Sequence, residues 1–182
     1  MIEDIKRIFE IAINAPSGEN VQPWKFKVED NNLYVFNIPE RDQSPYNFMQ
    51  RGSLVAHGAL IENILIISSS LGFKTDVSLF PNSDNPDLIA IISLTKSTPK
   101  DEPLFSYIIQ RATNRKPYKK VLLTAEQRQE ILSSVNQFSQ GKILLTEDKE
   151  NINTLSLVGS MNERLVMENE VLHKFLFNHI NW

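Results

Sequence analysis

Residues 15–24 read Ala-Pro-Ser-Gly-Glu-Asn-Val-Gln-Pro-Trp. Upstream, Ile2, Ile5, Phe9 and Ala12 recur at steps of three and four, which predicts a helix with one apolar face. Pro16 ends that helix and Gly18 follows, so the chain turns there. Downstream, residues 24–28 and 33–36 alternate as two strands around an Asp30-Asn31-Asn32 turn. The quoted stretch is thus a short polar loop between an apolar helix and an apolar strand. Ser17 and Asn20 offer hydroxyl and amide groups in it, Gly18 lets backbone approach a ligand, and Gln22 carries both a donor and an acceptor. An ordinary helix-to-strand connection, with Ser and Asn capping nearby backbone groups, accounts for the same composition.

The pattern continues through the chain. Residues 38–46 are polar with two prolines and predict a loop, in which Glu40, Arg41 and Asp42 read as solvated charge. A long helix is expected over 53–71, with Leu54, Leu60, Ile64 and Ile67 inward and Gly72 closing it. His57 on that helix is expected to pack or to face solvent. Residues 74–80 and 88–94 predict a second strand pair, and 96–103 a linker. A short helix over 104–111 follows. Thr124-Ala-Glu-Gln127 is a capping box opening another helix to about Val135. Residues 142–145 are a candidate strand, and 148–182 read as nearly uninterrupted helix. Phe175, Leu176, Phe177 and Ile180 still need cover where the chain stops at Trp182.

Composition narrows the classes. The chain has 182 residues, 41% hydrophobic and 23% charged, which is ordinary for a globular protein. Net charge is −3 with no basic stripe, which argues against a nucleic-acid partner. There is no cysteine, so disulfides, thiolate metal sites and a Cys nucleophile are excluded. His57, His173 and His179 lack metal-ligand spacing, so no metal is expected. No window reaches the roughly 18 apolar residues of a membrane span, so a soluble, cytoplasmic protein is expected.

A second polar element is Arg111-Ala-Thr-Asn-Arg-Lys-Pro-Tyr118. Two arginines flanking Thr113 and Asn114 suit a phosphate, which needs forked donors and a hydroxyl at close range. A basic surface loop making exposed ion pairs is the plain alternative.

Together the two elements resemble FMN-dependent nitroreductases. The first resembles their APS-x-x-N-x-QPW loop and the second their R-x-S-x-R motif, with Thr113 in the serine position. Arg51-Gly52, Gly58-Ala59, Glu62-Asn63 and Leu71-Gly72-Phe73 resemble the helix after the loop. The order of the motifs is inverted relative to a single subunit, and the segment 138–141 lacks a second loop of this kind. This resembles the fused-repeat, Acg-like branch. The resemblance implies an α+β layered fold, a largely antiparallel sheet with helices on both faces. It implies a first repeat over 1–100 and the start of an incomplete second over 101–182, the chain being an amino-terminal fragment that forms a pseudo-dimer within a longer chain or a homo-oligomer. It implies FMN held by Pro16, Ser17, Gly18, Asn20, Gln22, Arg111, Thr113, Asn114 and Arg115, with no catalytic side chain. It also implies NAD(P)H as donor and a small flat molecule, a nitroaromatic or quinone, as acceptor. Storage of FMN without turnover is the alternative.

Overall fold

The computed structural model describes residues 2–119, 121–136 and 141–178. His179, Ile180, Trp182 and most of segment 138–141 lie outside them. The chain divides into two compact units, Met1–Asn114 and Arg115–Trp182.

The first unit is built around a four-stranded antiparallel sheet in the order β1-β2-β4-β3. Its strands are β1 (Trp24–Glu29), β2 (Asn32–Asn37), β3 (Phe73–Leu79) and β4 (Leu88–Lys96). Trp24 pairs with Asn37 and Glu29 with Asn32, so β1 and β2 form a tight hairpin. Asp30 turns it in the left-handed conformation, φ 52°, a region that Asp tolerates better than most residues. Burial alternates along β2, with Leu33 and Val35 inward, as expected of a strand wetted on one side.

Helices α1 (Ile2–Ala12) and α2 (Arg51–Ser70) pack together and complete the core with the sheet. Ile5, Ile8 and Ala12 meet Leu60, Ile64 and Ile67, above Leu33, Val35, Ile92 and Leu94. Phe9 stacks on Phe26 with ring centroids 4.2 Å apart. The mixed α+β architecture with an antiparallel sheet is as the sequence predicts. Two positions on the predicted apolar faces differ. Ile2, at the first turn of α1, is 82% exposed, while Ile5 and Ile8 are in the core. Leu54 is 36% exposed, since the first turns of α2 bury Ser53, Ala56 and His57 instead.

Gly72 ends α2 at φ 82°, where a Cβ would lie 3.0 Å from the Ser97 carbonyl oxygen. Segment 96–103 is no free linker. Ser97 N–H donates to Gly72 O (2.7 Å) and Lys100 N–H to Ser69 O (3.1 Å), tying it to the end of α2. Helix α3 (Phe105–Gln110) follows, with Ile108 in the core.

The second unit contains α4 (Ala125–Ser133), α5 (Lys149–Glu168) and α6 (Glu170–Asn178). The capping box is realised: Gln127 N–H donates to Thr124 Oγ1 at 3.2 Å and Thr124 N–H to Gln127 Oε1 at 3.1 Å. Bonds to its own backbone N–H and to Thr124 hold the Glu126 carboxyl below its usual range. Residues 142–145 form no strand, since no partner strand adjoins them among the described residues. The terminal helix is interrupted at Asn169, whose Oδ1 accepts from Val171 N–H and Leu172 N–H and starts a new helix.

Residues Pro45–Ser70 are long and apolar enough to cross a membrane by length and composition, contrary to the sequence expectation. In the fold they hold the core helix, with His57 fully buried.

Ile8→Ala should lower stability by about 2–5 kcal/mol, and Ile2→Ala by less than about 0.5 kcal/mol, in denaturant titration. Acidification through the usual glutamate range should weaken α4. The depressed Glu126 group stabilises the folded helix end above its unfolded pKa, and that contribution is lost as pH falls through the folded value. Circular dichroism of Glu126→Gln should lack this acid step.

Candidate functional site

The loop after α1 is held by its own side chains. Ser17 Oγ accepts from Gln22 N–H at 3.0 Å, which folds residues 17–22 into a closed bend. Gln22 Nε2 reaches back to Ile13 O at 3.4 Å, and Arg41 Nη1 donates to Gln22 O at 3.0 Å. Glu19, Asn20 and Gln22 all adopt positive φ, at 48°, 59° and 49°. Gly18 itself is not among the left-handed residues; three non-glycine neighbours are. Left-handed non-glycine residues are costly and gather at ligand sites.

The opposite wall is the start of α2. A groove of about 200 Å³ runs between Pro16, Ser17 and Gly18 on one side and Gly52, Ala56 and Ala59 on the other. Val55 lines it beside these small residues. Helix α2 begins without a side-chain cap from Gln50, which is itself left-handed. Asn47 supplies the cap from outside: its Oδ1 accepts from Ser53 N–H at 3.0 Å. Its Nδ2 donates to Asp42 O at 2.8 Å and Ser53 Oγ at 3.0 Å. A Cβ on Gly52 would press on Asn47 Oδ1 at 3.2 Å, so glycine there makes room for the cap.

Two residues read as solvated charge are structural. Asp42 is only 8% exposed and accepts from Ser44 N–H at 3.1 Å. Arg41 clamps the loop, as above. His57 is buried, with Nδ1 2.8 Å from Ser53 O and Nε2 3.3 Å from Phe36 O.

Of the second motif, Arg111 lies beside the first. Its Nη2 donates to Asn14 O at 3.1 Å, two residues before Pro16. Asn63 Nδ2 donates to the neighbouring Ala12 O at 3.1 Å. The two side chains thereby satisfy carbonyls at the C-terminal end of α1, where positive charge is also favoured. A guanidinium carries five N–H donors, so this contact leaves Arg111 others to offer. Asn20 and Thr113 are exposed. Asn114 ends the first compact unit and Arg115 opens the second. Sequence reasoning missed Arg41, Asn47 and Gly52. Only Gly52 carried a signal, within the Arg-Gly pair that opens the helix.

No family model matches the chain. Two proteins of Mycobacterium tuberculosis strain H37Rv are similar to it over its first two thirds. One is named "Putative NAD(P)H nitroreductase Rv3131" and is 26% identical over 118 residues, 64% of this chain and 34% of that protein. The other, "Putative NAD(P)H nitroreductase acg", is 27% identical over 117 residues, 63% of this chain and 35% of that protein. The chain is similar to these two proteins and spans about a third of their length. Among solved structures, a protein from Desulfovibrio desulfuricans described as a "putative nitroreductase in complex with fmn" aligns with TM-score 0.43 and 19% identity, over 67% of this chain and 83% of that one. A protein from Clostridium acetobutylicum described as a "Putative NADH Oxidase" aligns with TM-score 0.43 and 16% identity, over 66% and 87%.

Ser17→Ala should remove the acceptor that closes the loop. The Gln22 amide should then exchange with solvent at least about tenfold faster, with stability lowered by about 0.5–1.5 kcal/mol.

Proposed function

We propose that this chain carries part or all of an FMN site and serves in an NAD(P)H-dependent oxidoreductase of nitroreductase type. The observation that carries the reading is the Arg111 guanidinium bonded to the Asn14 carbonyl, two residues before the Pro16–Gly18 stretch that walls a groove with Gly52, Val55, Ala56 and Ala59. The names of the mycobacterial relatives support it.

The residues fit the group in part. The groove is smaller than the roughly 300–1,000 Å³ of most ligand pockets, so at about 200 Å³ it seats one portion of a flat nucleotide, not the whole. Ser17 keeps its hydroxyl proton free to donate, because the oxygen is used only as acceptor. Pro16 and Gly18 form the loop wall. Asn20 and Gln22, two and four residues beyond Gly18, would add amide contacts, and Arg111, Thr113, Asn114 and Arg115 would serve the phosphate and ribitol end. Bound FMN would supply the redox chemistry, taking hydride equivalents from a nicotinamide and passing electrons to a flat acceptor such as a nitroaromatic or quinone. The protein's own part is binding, orientation and exclusion of water. In this reading residues 1–100 and 101–182 derive from successive repeats of a longer cytoplasmic protein, one giving the loop and the other the phosphate grip.

Absorbance-monitored FMN titration tests this. Arg111→Ala should weaken binding by about tenfold or more, the scale of a lost charge-assisted hydrogen bond. Arg41→Ala, which only loosens the loop, should weaken it less; equal affinities would contradict the phosphate assignment. Anaerobic NADPH added to the FMN-loaded protein should bleach the flavin, and persistent yellow colour would point to storage instead.

A further inference from the structure

The far end of α2 carries a cavity of about 310 Å³ that the flavin reading does not use. It lies between Ser69, the start of β3 and residues 97–100. The groove at the start of α2 reaches Ala59, so Ser69 is about 15 Å further along the helix axis. The walls are fixed by the bonds from Ser97 N–H to Gly72 O and from Lys100 N–H to Ser69 O. Pro99 closes against Gly72, where its ring carbons would lie 3.1 Å from an added Cβ.

The lining is rich in donors and carries one sign of charge. Its only charged side chains are those of Lys74 and Lys100, and no carboxylate lines it. Neither ammonium has an ion-pair partner among the described residues, whereas Lys6, Lys27 and Lys174 are paired. Ser69, Thr75, Ser97 and Thr98 bring four hydroxyls, none of them hydrogen-bonded among the described residues. The neighbouring Ser70 hydroxyl, by contrast, donates to Ile67 O at 2.8 Å. Ser69 and Thr75 are half-buried and the other polar residues are exposed, so a ligand can reach them from solvent. Backbone donors add to these. The bonds from Ser97 N–H to Gly72 O and from Phe80 N–H to Ile89 O show that the even-numbered residues along β3 face β4. Phe73 and Thr75 therefore carry their N–H groups on the open edge of the sheet.

We propose that this cavity is an oxyanion site that binds a phosphate group, free or as the head of a small monoester. Lys74 and Lys100 supply the charge, and the hydroxyls donate to the phosphate oxygens. The negative end of the α2 dipole works against an anion here, but it amounts to about half a charge against two ammonium groups. The Ser69 carbonyl at that end is already engaged by Gly72 N–H and Lys100 N–H, both at 3.1 Å. The volume is at the small end of the range for ligand pockets, which suits a compact phosphate and not a flavin nucleotide. The site shares no lining residue with the groove at the start of α2, so the proposal stands independently of the flavin reading.

The test follows the backbone amide resonances of the full chain in phosphate-free buffer during titration with inorganic phosphate and, separately, with glycerol 3-phosphate. Glycerol is the uncharged control. The expected result is saturable shifts at residues 69, 73–75 and 97–100, half-maximal below about 10 mM for at least one of the two phosphates, and none with glycerol. The tighter of the two identifies the source of the phosphate. Lys74→Gln and Lys100→Gln, both at exposed positions, should each weaken binding by about fivefold. Lys25→Gln removes the same charge from β1 and should change the affinity by less than about twofold. No saturation with either phosphate would overturn the proposal, as would shifts centred on Ser17 or Arg111. Equal weakening by Lys25→Gln would also overturn it, because the attraction would then be that of net charge and not of a site.

Discussion

The arrangement rests on one amide, that of Asn47. Helix α2 starts from a left-handed Gln50 that gives no side-chain cap, so its first N–H groups depend on a residue outside the helix. Asn47 meets that need with both ends, accepting from Ser53 N–H and donating to Asp42 O, Ser53 Oγ and Gln50 Oε1. It is buried, so these bonds are poorly replaced by water. Its position requires Gly52, and Gly52 in turn forms part of the groove wall facing Ser17. Gln50 lies on the other side, where it lines a larger cavity, of about 520 Å³, with Leu54 and Phe80. One cap thus sets the geometry of two concave surfaces.

Conformational cost is concentrated where those surfaces are. Seven non-glycine residues among those described have positive φ, and six of them belong to the loop after α1 or line the larger cavity. The seventh, Asp30, turns a hairpin. Such backbone persists only when neighbours over-determine it. Here the neighbours are named: Ser17 and Arg41 hold Gln22, while Asn37 and Asn47 hold Gln50.

Periodicity made α1, the β1–β2 hairpin and the β3–β4 pair legible, because each buries one face against a common core. The Thr124 capping box was legible because its two bonds are local. Arg41 and Asp42 were not, since a charged loop looks solvated until Gln22, Ser44 and Asn47 are brought to it. Leu54 and Ile2 fit the helical period yet lie beyond the packed region, and period alone does not show where a core ends. The left-handed conformations of Met49, Gln50 and Phe80 leave no mark, as no glycine flags them. Residues 142–145 have strand-like composition and no partner, and a strand is a property of pairs. The motifs that pointed to a flavin were readable as residue types. The bond from Arg111 to the Asn14 carbonyl is visible only in the fold.

The central claim is that FMN sits in the groove between the loop after α1 and the start of α2. Hydrogen exchange of the chain with and without saturating FMN, resolved to short peptides, tests this most directly. The account predicts protection of residues 14–22 and 51–59, together with 111–115 at the phosphate end. Saturating FMN that leaves the first two stretches exchanging at their free rates would contradict it.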